Sequence, residues 1–301
     1  MAIKKAIVPV AGIGTRLLPT TKALPKEMLP VGRLPIIHRV IEELVTAGIT
    51  QILFVTNRSK NIIENYFDDY SELMMHLEQE QNPRLTKSPF GYRGARIEFF
   101  SIRQPITKGK SKPNGTGGAV LAAEHFVNNE PFVVAFGDSI IHSPESPNLL
   151  KRLIDSHTNN QSDTTIASYE VSDDMTQHYG ILIVDPEQPL SNDSRVISIV
   201  EKPKPTQTPS RLAISARYVF NPDIFTRIRQ INPAENGELY LTDAIAEQIK
   251  NRKLVRTLRL GEQEKRYDIG NHLAYFKTFI DYAIADPDHG IEIQEYLKKF
   301  V

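Results

Sequence analysis

The chain interleaves short apolar runs with stretches whose apolar residues recur every three or four positions. Residues 6–10 are an apolar run with Pro9 inside it, closed by a glycine turn, and read as a buried strand feeding a loop. Pro35 then opens a helical pattern. Ile36, Ile37, Val40, Ile41, Leu44 and Val45 share one face, and Gly48 is placed to cap its end. Residues 52–56 are a second strand. Strand, glycine loop, helix, strand is a βαβ beginning, which predicts parallel pairing. The same reading predicts strands at 97–102, 132–136, 164–171, 180–184, 196–200 and 213–220. Helices are predicted at 119–126, 149–157, 241–251, 271–284 and 293–300. The fold class is α/β, with a mixed, mostly parallel sheet flanked by helices and a helical C-terminal tail. Residues 82–94 and 107–118 are rich in glycine and proline and read as loops. No repeat or linker divides the chain, so one domain is expected over 1–285, with a tail at 286–301 suited to oligomer contacts.

Composition removes several chemistries. The 301 residues include no cysteine, so disulfide scaffolds, thiolate catalysis and Cys-ligated metals are excluded. Lys plus Arg and Asp plus Glu are both 36, and this balance argues against a nucleic-acid partner. No window approaches the roughly 20 apolar residues of a membrane span, and the first residues lack a secretion signal's apolar stretch. The expected location is the cytoplasm, with no membrane partner.

Candidate chemistry begins at residues 11–19, A-G-I-G-T-R-L-L-P. A glycine loop after a strand offers backbone amides to an anion. It is not a dinucleotide fingerprint, because the third glycine would fall at Leu17 and the acidic residue about 20 positions on is missing. The Walker phosphate loop is absent too. Arg16, Lys22 and Lys26 follow the loop, and three cations beside free amides suit a triphosphate.

The run from Gly12 through G-I-G-T-R-L-L-P-T-T-K-A-L-P-K-E-M-L-P-V closely resembles the N-terminal signature of the sugar-nucleotide pyrophosphorylases. The resemblance recurs in order down the chain. It continues in Ser59-Lys60-Asn61 with Ile63-Glu64-Asn65, Tyr179-Gly180, V-E-K-P-K at 200–204, L-T-D-A-I at 241–245 and D-I-G-N at 268–271. It implies a Rossmann-like fold of the nucleotide-diphospho-sugar transferase type. It also implies Mg²⁺-dependent transfer of a uridylyl group from UTP to glucose 1-phosphate, and a homodimer or homotetramer.

In that reaction a sugar-phosphate oxygen displaces pyrophosphate at the α-phosphorus, so no protein nucleophile is needed. The site must gather two anions and stabilise charge on equatorial and leaving oxygens. The amides of residues 12–15 and Arg16 suit the β and γ phosphates, and Lys26 the α-phosphate. Asp138 ends a buried apolar strand, the usual place for a ligand site in such sheets. The resemblance implies that Asp138 and Asp268 hold Mg²⁺. It implies that Ala11, Gly12, Gly14, Thr15, Gln104 and Gly117 meet the nucleotide, with Gln104 reading the pyrimidine edge. Tyr179, Gly180, Glu201 and Lys202 are implied to meet the sugar phosphate. The eight histidines show no ligand spacing and are read as structural or exposed.

Two features depart from the family pattern. Gly118 stands where a histidine is usual, inside an apparent insertion over 107–118, and Phe136-Gly137-Asp138 replaces L-P-D. Both lie by the base and sugar, so dTTP, CTP or another hexose 1-phosphate are rival substrates. A weakly catalytic regulatory paralogue is a rival of another class. The neutral total also hides a division. Residues 1–112 hold 17 basic and 10 acidic residues, and the remainder 19 and 26. The proposed phosphate cations fall in the first part and the metal carboxylates in the second.

Overall fold

The computed structural model describes residues 2–68, 75, 97–106, 114–144, 146–187 and 192–300. The expected loop at 82–94, and 107–113 of the second loop, lie outside them. Strands run at β1 (Lys5–Pro9), β2 (Pro30–Val31), β3 (Leu34–Pro35), β4 (Gln51–Thr56), β5 (Glu98–Arg103), β6 (Phe132–Ala135) and β7 (Ser139–His142). They continue as β8 (Thr164–Glu170), β9 (Gly180–Val184), β10 (Asp193–Glu201), β11 (Leu212–Phe220), β12 (Val255–Arg259) and β13 (Lys265–Asp268). Helices are α1 (Ile36–Thr46), α2 (Asn61–Phe67), α3 (Gly115–Ala122), α4 (Glu124–Val127) and α5 (Leu149–Asn159). Then come α6 (Asp223–Gln230), α7 (Leu241–Lys250), α8 (His272–Ile284) and α9 (Gly290–Leu297).

Nine strands form one sheet in the order β5-β4-β1-β6-β11-β8-β12-β10-β9. β5, β4, β1 and β6 pair in parallel, and so do β8 and β12. β11 is antiparallel to β6, β8 and β9, and β10 is antiparallel to β12 and β9. The sheet is mixed and mostly parallel in strand direction, as expected: β5, β4, β1, β6, β8, β12 and β9 run one way, and β10 and β11 run against them. Parallel neighbours need helical crossovers such as α1, whereas short links such as the one from β9 to β10 return the chain antiparallel.

Alternate residues of the central strands enter opposite cores. Ile7, Leu53, Val55, Phe132 and Val134 pack on one face with α3, α6 and α7. Ala6, Val8, Ile52, Phe54, Val133 and Ala135 pack on the other with α1 and α5. Burial on both faces is why these strands read as unbroken apolar runs. Elements without such a run escaped the sequence reading: the β2–β3 hairpin, β7, β12, β13, α2 and α6. The predicted helix at 119–126 begins earlier, at Gly115, and is broken at Ala123.

One buried ion pair ties the sheet to its helical layer. Arg217 on β11 is fully buried, and its guanidinium meets Glu43 on α1, with Nη2 at 2.7 Å from Oε2. It also donates to the carbonyls of Ser139 (2.9 Å) and Ala216 (3.1 Å), beside the strand end that carries Asp138. Ala216 sits at φ +54° in the bulge that aims Arg217. The C-terminal tail is tied on by Arg33, which pairs with Asp286 at 2.7 Å and Asp288 at 2.9 Å. The hydrogen bond to Arg33 pushes the Asp286 carboxyl down to about 2. Among the described residues no helix is long and apolar enough to cross a membrane.

Replacing Arg217 alone by Met strands the Glu43 carboxylate in the core and should cost about 3–5 kcal/mol in urea unfolding. The double variant Glu43→Leu/Arg217→Met should recover most of that loss, because a well-packed apolar pair replaces the ions at similar volume.

Candidate active site

The first part of the site grows from the end of β1. Residues 11–14 leave the strand, and Gly14 takes a left-handed conformation at φ +74° that opens a three-residue 3₁₀ turn. Thr21 Oγ1 donates to the Gly14 carbonyl at 2.8 Å and holds this turn. Among the described residues, the amides of Gly12 to Thr15 have no hydrogen-bond acceptor, so all remain available to an anion. The loop leads into short turns rather than an α-helix, so the donors themselves, and not a long helix dipole, provide the attraction. Arg16 is exposed, with its guanidinium against Gly270, where an added Cβ would lie 3.2 Å from Nη2. Lys22 is also exposed and is not among the residues lining the cavity.

Lys26 and Asp138 meet across the mouth of the sheet as an ion pair, with Nζ donating to Oδ2. Asp138 follows β6 and directly precedes β7. Antiparallel pairing of β7 with β13 sets Asp268 opposite Ser139, so residues about 130 positions apart in the chain lie on neighbouring strands. The Ile269 amide donates to the Asp138 carbonyl at 3.3 Å. Gly137 has a steric cause: a Cβ there would stand 2.5 Å from Val10 Cγ1. Burial works against both charges of the Lys26–Asp138 pair, but each partner outweighs it. Lys26, helped by Arg266, holds the Asp138 carboxyl below its ordinary range. Asp138 and Glu27 raise the Lys26 ammonium above its own. A depressed carboxylate adds stability that is present above its unfolded pKa and lost as pH falls through the folded value. A raised ammonium loses its contribution only as pH rises through its folded value. The pair is therefore charged throughout the neutral range.

Lys26, Asp138 and residues 12–14 line a cavity of about 300 Å³ together with Ala11, Thr15, Glu27, Gln104, Thr116 and Glu238, and Asp268 lies outside it. Gln104 is buried, and its Nε2 donates to the Gly115 carbonyl at 2.9 Å. Gly117 does not line this cavity. Its amide donates to the Leu239 carbonyl at 2.8 Å, and a Cβ would lie 2.9 Å from that oxygen. Its neighbours Gly115 and Thr116 do line the cavity. A Cβ on Gly118 would lie 2.8 Å from Asn114 Cβ, so a histidine does not fit this backbone.

Thr116, Phe136 and Glu238 also line a second cavity of about 250 Å³, which adjoins the first. Here Tyr179, Gly180, Glu201 and Lys202 come together, because Gly180 and Glu201 are cross-strand partners in β9 and β10. Lys202 takes φ +47°, donates its amide to the Tyr179 carbonyl at 3.0 Å and sets its ammonium 3.5 Å from Glu201. Thr242, from L-T-D-A-I, donates to Glu201 Oε2 at 2.8 Å. Arg266 was not singled out from the sequence. Its guanidinium lies between the rings of Tyr169 (5.1 Å) and Tyr179 (4.9 Å) and donates to Asp268 at 3.1 Å. Arg266 and Asp268 share a face of β13 at i and i+2, a signal readable once that segment is known to be a strand. Among the histidines, His38 and His157 are buried and hydrogen-bonded, and burial lowers both, His38 to about 4.

A Cβ on Gly180 would come within 2.8 Å of Ile214 and Thr242 and 3.3 Å of Glu201 Oε2. Gly180→Ala should therefore raise the KM for a sugar 1-phosphate about tenfold or more and leave that for the triphosphate near its original value, a split read in initial-rate kinetics.

Residues 5–284 match the nucleotidyl transferase family model. The chain is 40% identical to UTP–glucose-1-phosphate uridylyltransferase 1 of Staphylococcus saprophyticus, with 99% of each chain covered. A UDP-glucose pyrophosphorylase from Acinetobacter baumannii superposes with a TM-score of 0.86 at 34% identity, covering 99% of this chain and all of that one. A UTP-bound UGPase from the same organism reaches 0.87 with the same identity and coverage. With its family model matched over residues 5–284 and a relative 40% identical over nearly its whole length, the chain belongs to the nucleotidyl transferase family.

Proposed function

We propose that this chain transfers a uridylyl group from UTP to glucose 1-phosphate, releasing pyrophosphate. The observation that carries the reading is the junction of the two cavities. One is lined by the glycine loop, Lys26 and Asp138, the other by Glu201 and Lys202, and they meet at Thr116, Phe136 and Glu238. Two anions laid end to end there would touch at the point where one must attack the other. The relatives are named for UTP and glucose 1-phosphate, and one solved relative binds UTP. The rival bases and sugars carry no comparable support.

In this reading the free amides at 12–15 and Arg16 hold the β and γ phosphates, and Lys26 turns from Asp138 toward the α-phosphate. Gln104 faces the base. Glu201, steadied by Thr242, accepts sugar hydroxyls, and Lys202 with Arg266 faces the sugar phosphate. Asp138 and Asp268 fit a magnesium ion by the chemistry of the donor set. Mg²⁺ prefers hard oxygens, few protein carboxylates and substrate phosphates, and the two Asp side chains offer oxygens of that kind. When bound, the metal neutralises phosphate oxygens. The same reading takes 1–285 as the catalytic domain and places the chain in the cytoplasm, where its triphosphate is made. It takes the tail at 286–301 and α8 as an oligomer face, because Leu273, Phe276, Ile291 and Phe300 are all more than half exposed.

Pyrophosphate release measured across four nucleotides and several sugar phosphates should be fastest with UTP and glucose 1-phosphate; a better pair elsewhere overturns the reading. Asp138→Ala should lower kcat by about 10²-fold or more with the fold intact by circular dichroism. Because the Lys26–Asp138 pair stays charged, kcat/KM for the sugar phosphate should fall below about pH 6, where a phosphate monoester takes up its second proton.

A further inference from the structure

The S-K-N motif touches neither cavity directly, and its place is structural in an unusual way. β4 ends at Thr56, and the chain turns through 57–60 before α2 begins. Asn57 Nδ2 donates to the carbonyl of Ala11, the first residue of the glycine loop, at 2.7 Å. Its Oδ1 accepts from the Ser59 amide at 2.8 Å and hydroxyl at 2.7 Å, which fixes the side chain. At the other end of the turn, Lys60 Nζ lies 2.6 Å from Glu27 Oε2, and both side chains are about 2% exposed or less. Glu27 is the neighbour of Lys26 and lines the first cavity. One four-residue turn thus holds both segments that face the triphosphate. The turn itself is anchored, since the Val10 amide donates to Val55 at 2.9 Å and β4 pairs with β1 along its length.

An ion pair buried this deeply adds little to stability over an apolar pair, but it has one geometry. It also cancels a carboxylate that would otherwise repel a polyanion at close range. We propose that Asn57 and Lys60 are positioning residues: they set the separation between the glycine loop and Lys26 and so tune the grip on the triphosphate. The proposal rests on reading the site as one for UTP and glucose 1-phosphate.

Two variants test it. Lys60→Met with Glu27→Met removes the ions at similar volume. Asn57→Asp keeps the acceptor for Ser59 and loses the donor to Ala11. Each should fold, raise the KM for UTP about tenfold or more with a fall in kcat, and leave the KM for glucose 1-phosphate unchanged. A merely structural role would move both substrates together or neither. Wild-type kinetics in a folded variant, or equal losses toward both substrates, would overturn the proposal. If the double variant does not fold, Asn57→Asp alone decides. Calorimetric titration of the triphosphate that the wild-type chain binds best keeps the two readings apart. A wild type inactive with UTP and glucose 1-phosphate sinks the functional reading, while an unchanged triphosphate affinity in Asn57→Asp sinks the positioning role.

Discussion

Two like-charged substrates must be held against their own repulsion, and the proposed reaction assigns part of that work to the Lys26–Asp138 pair. Each member meets a need of the other before any substrate arrives. A buried carboxylate without a partner would take up a proton, and a buried ammonium would lose one. Paired, both keep their charge at neutral pH; in the proposed reaction the lysine would exchange its partner for a phosphate and the aspartate for a cation. Asp268 and Arg266 repeat the arrangement one strand away.

The rest of the fold can be understood as what keeps these charges in place. The sheet is buried on both faces, so its strand ends are rigid points from which loops can project. Arg217, reaching from β11 to Glu43 and to the carbonyl of Ser139, fixes the strand end that bears Asp138. The turn at 57–60 does the same for the glycine loop and for the residue beside Lys26. In both cases a buried ion pair supplies direction more than stability, which suits a site where small misplacements are costly in rate.

Much of the architecture was legible because apolar periodicity reports burial. β1, α1, β4 and β6 were placed within a residue or so, since their side chains all enter a core. β7 and β13 were not. They form a two-stranded ribbon with mixed burial and polar ends, so nothing in their pattern separates them from loop. Which strands run against the parallel majority, β10 and β11, was not readable for a related reason. Strand direction depends on how the chain returns, and apolar runs carry no record of that.

The residues proposed to bind phosphate were readable as a group because they are contiguous: amides, Arg16 and Lys26 lie within fifteen positions, and local chemistry alone relates them. Gly180 and Glu201 could be named but not joined, and Arg266 went unnoticed, since cross-strand pairing gives those residues their meaning. Gly117 shows the reverse, a glycine in a promising loop whose amide is already committed to Leu239. The amino-acid sequence by itself determined which charges exist and where the buried strands run, because composition and burial leave local traces. Tertiary structure decided which of those charges meet, because register, strand direction and the neutralising partner of each buried ion are set by residues far away in the chain.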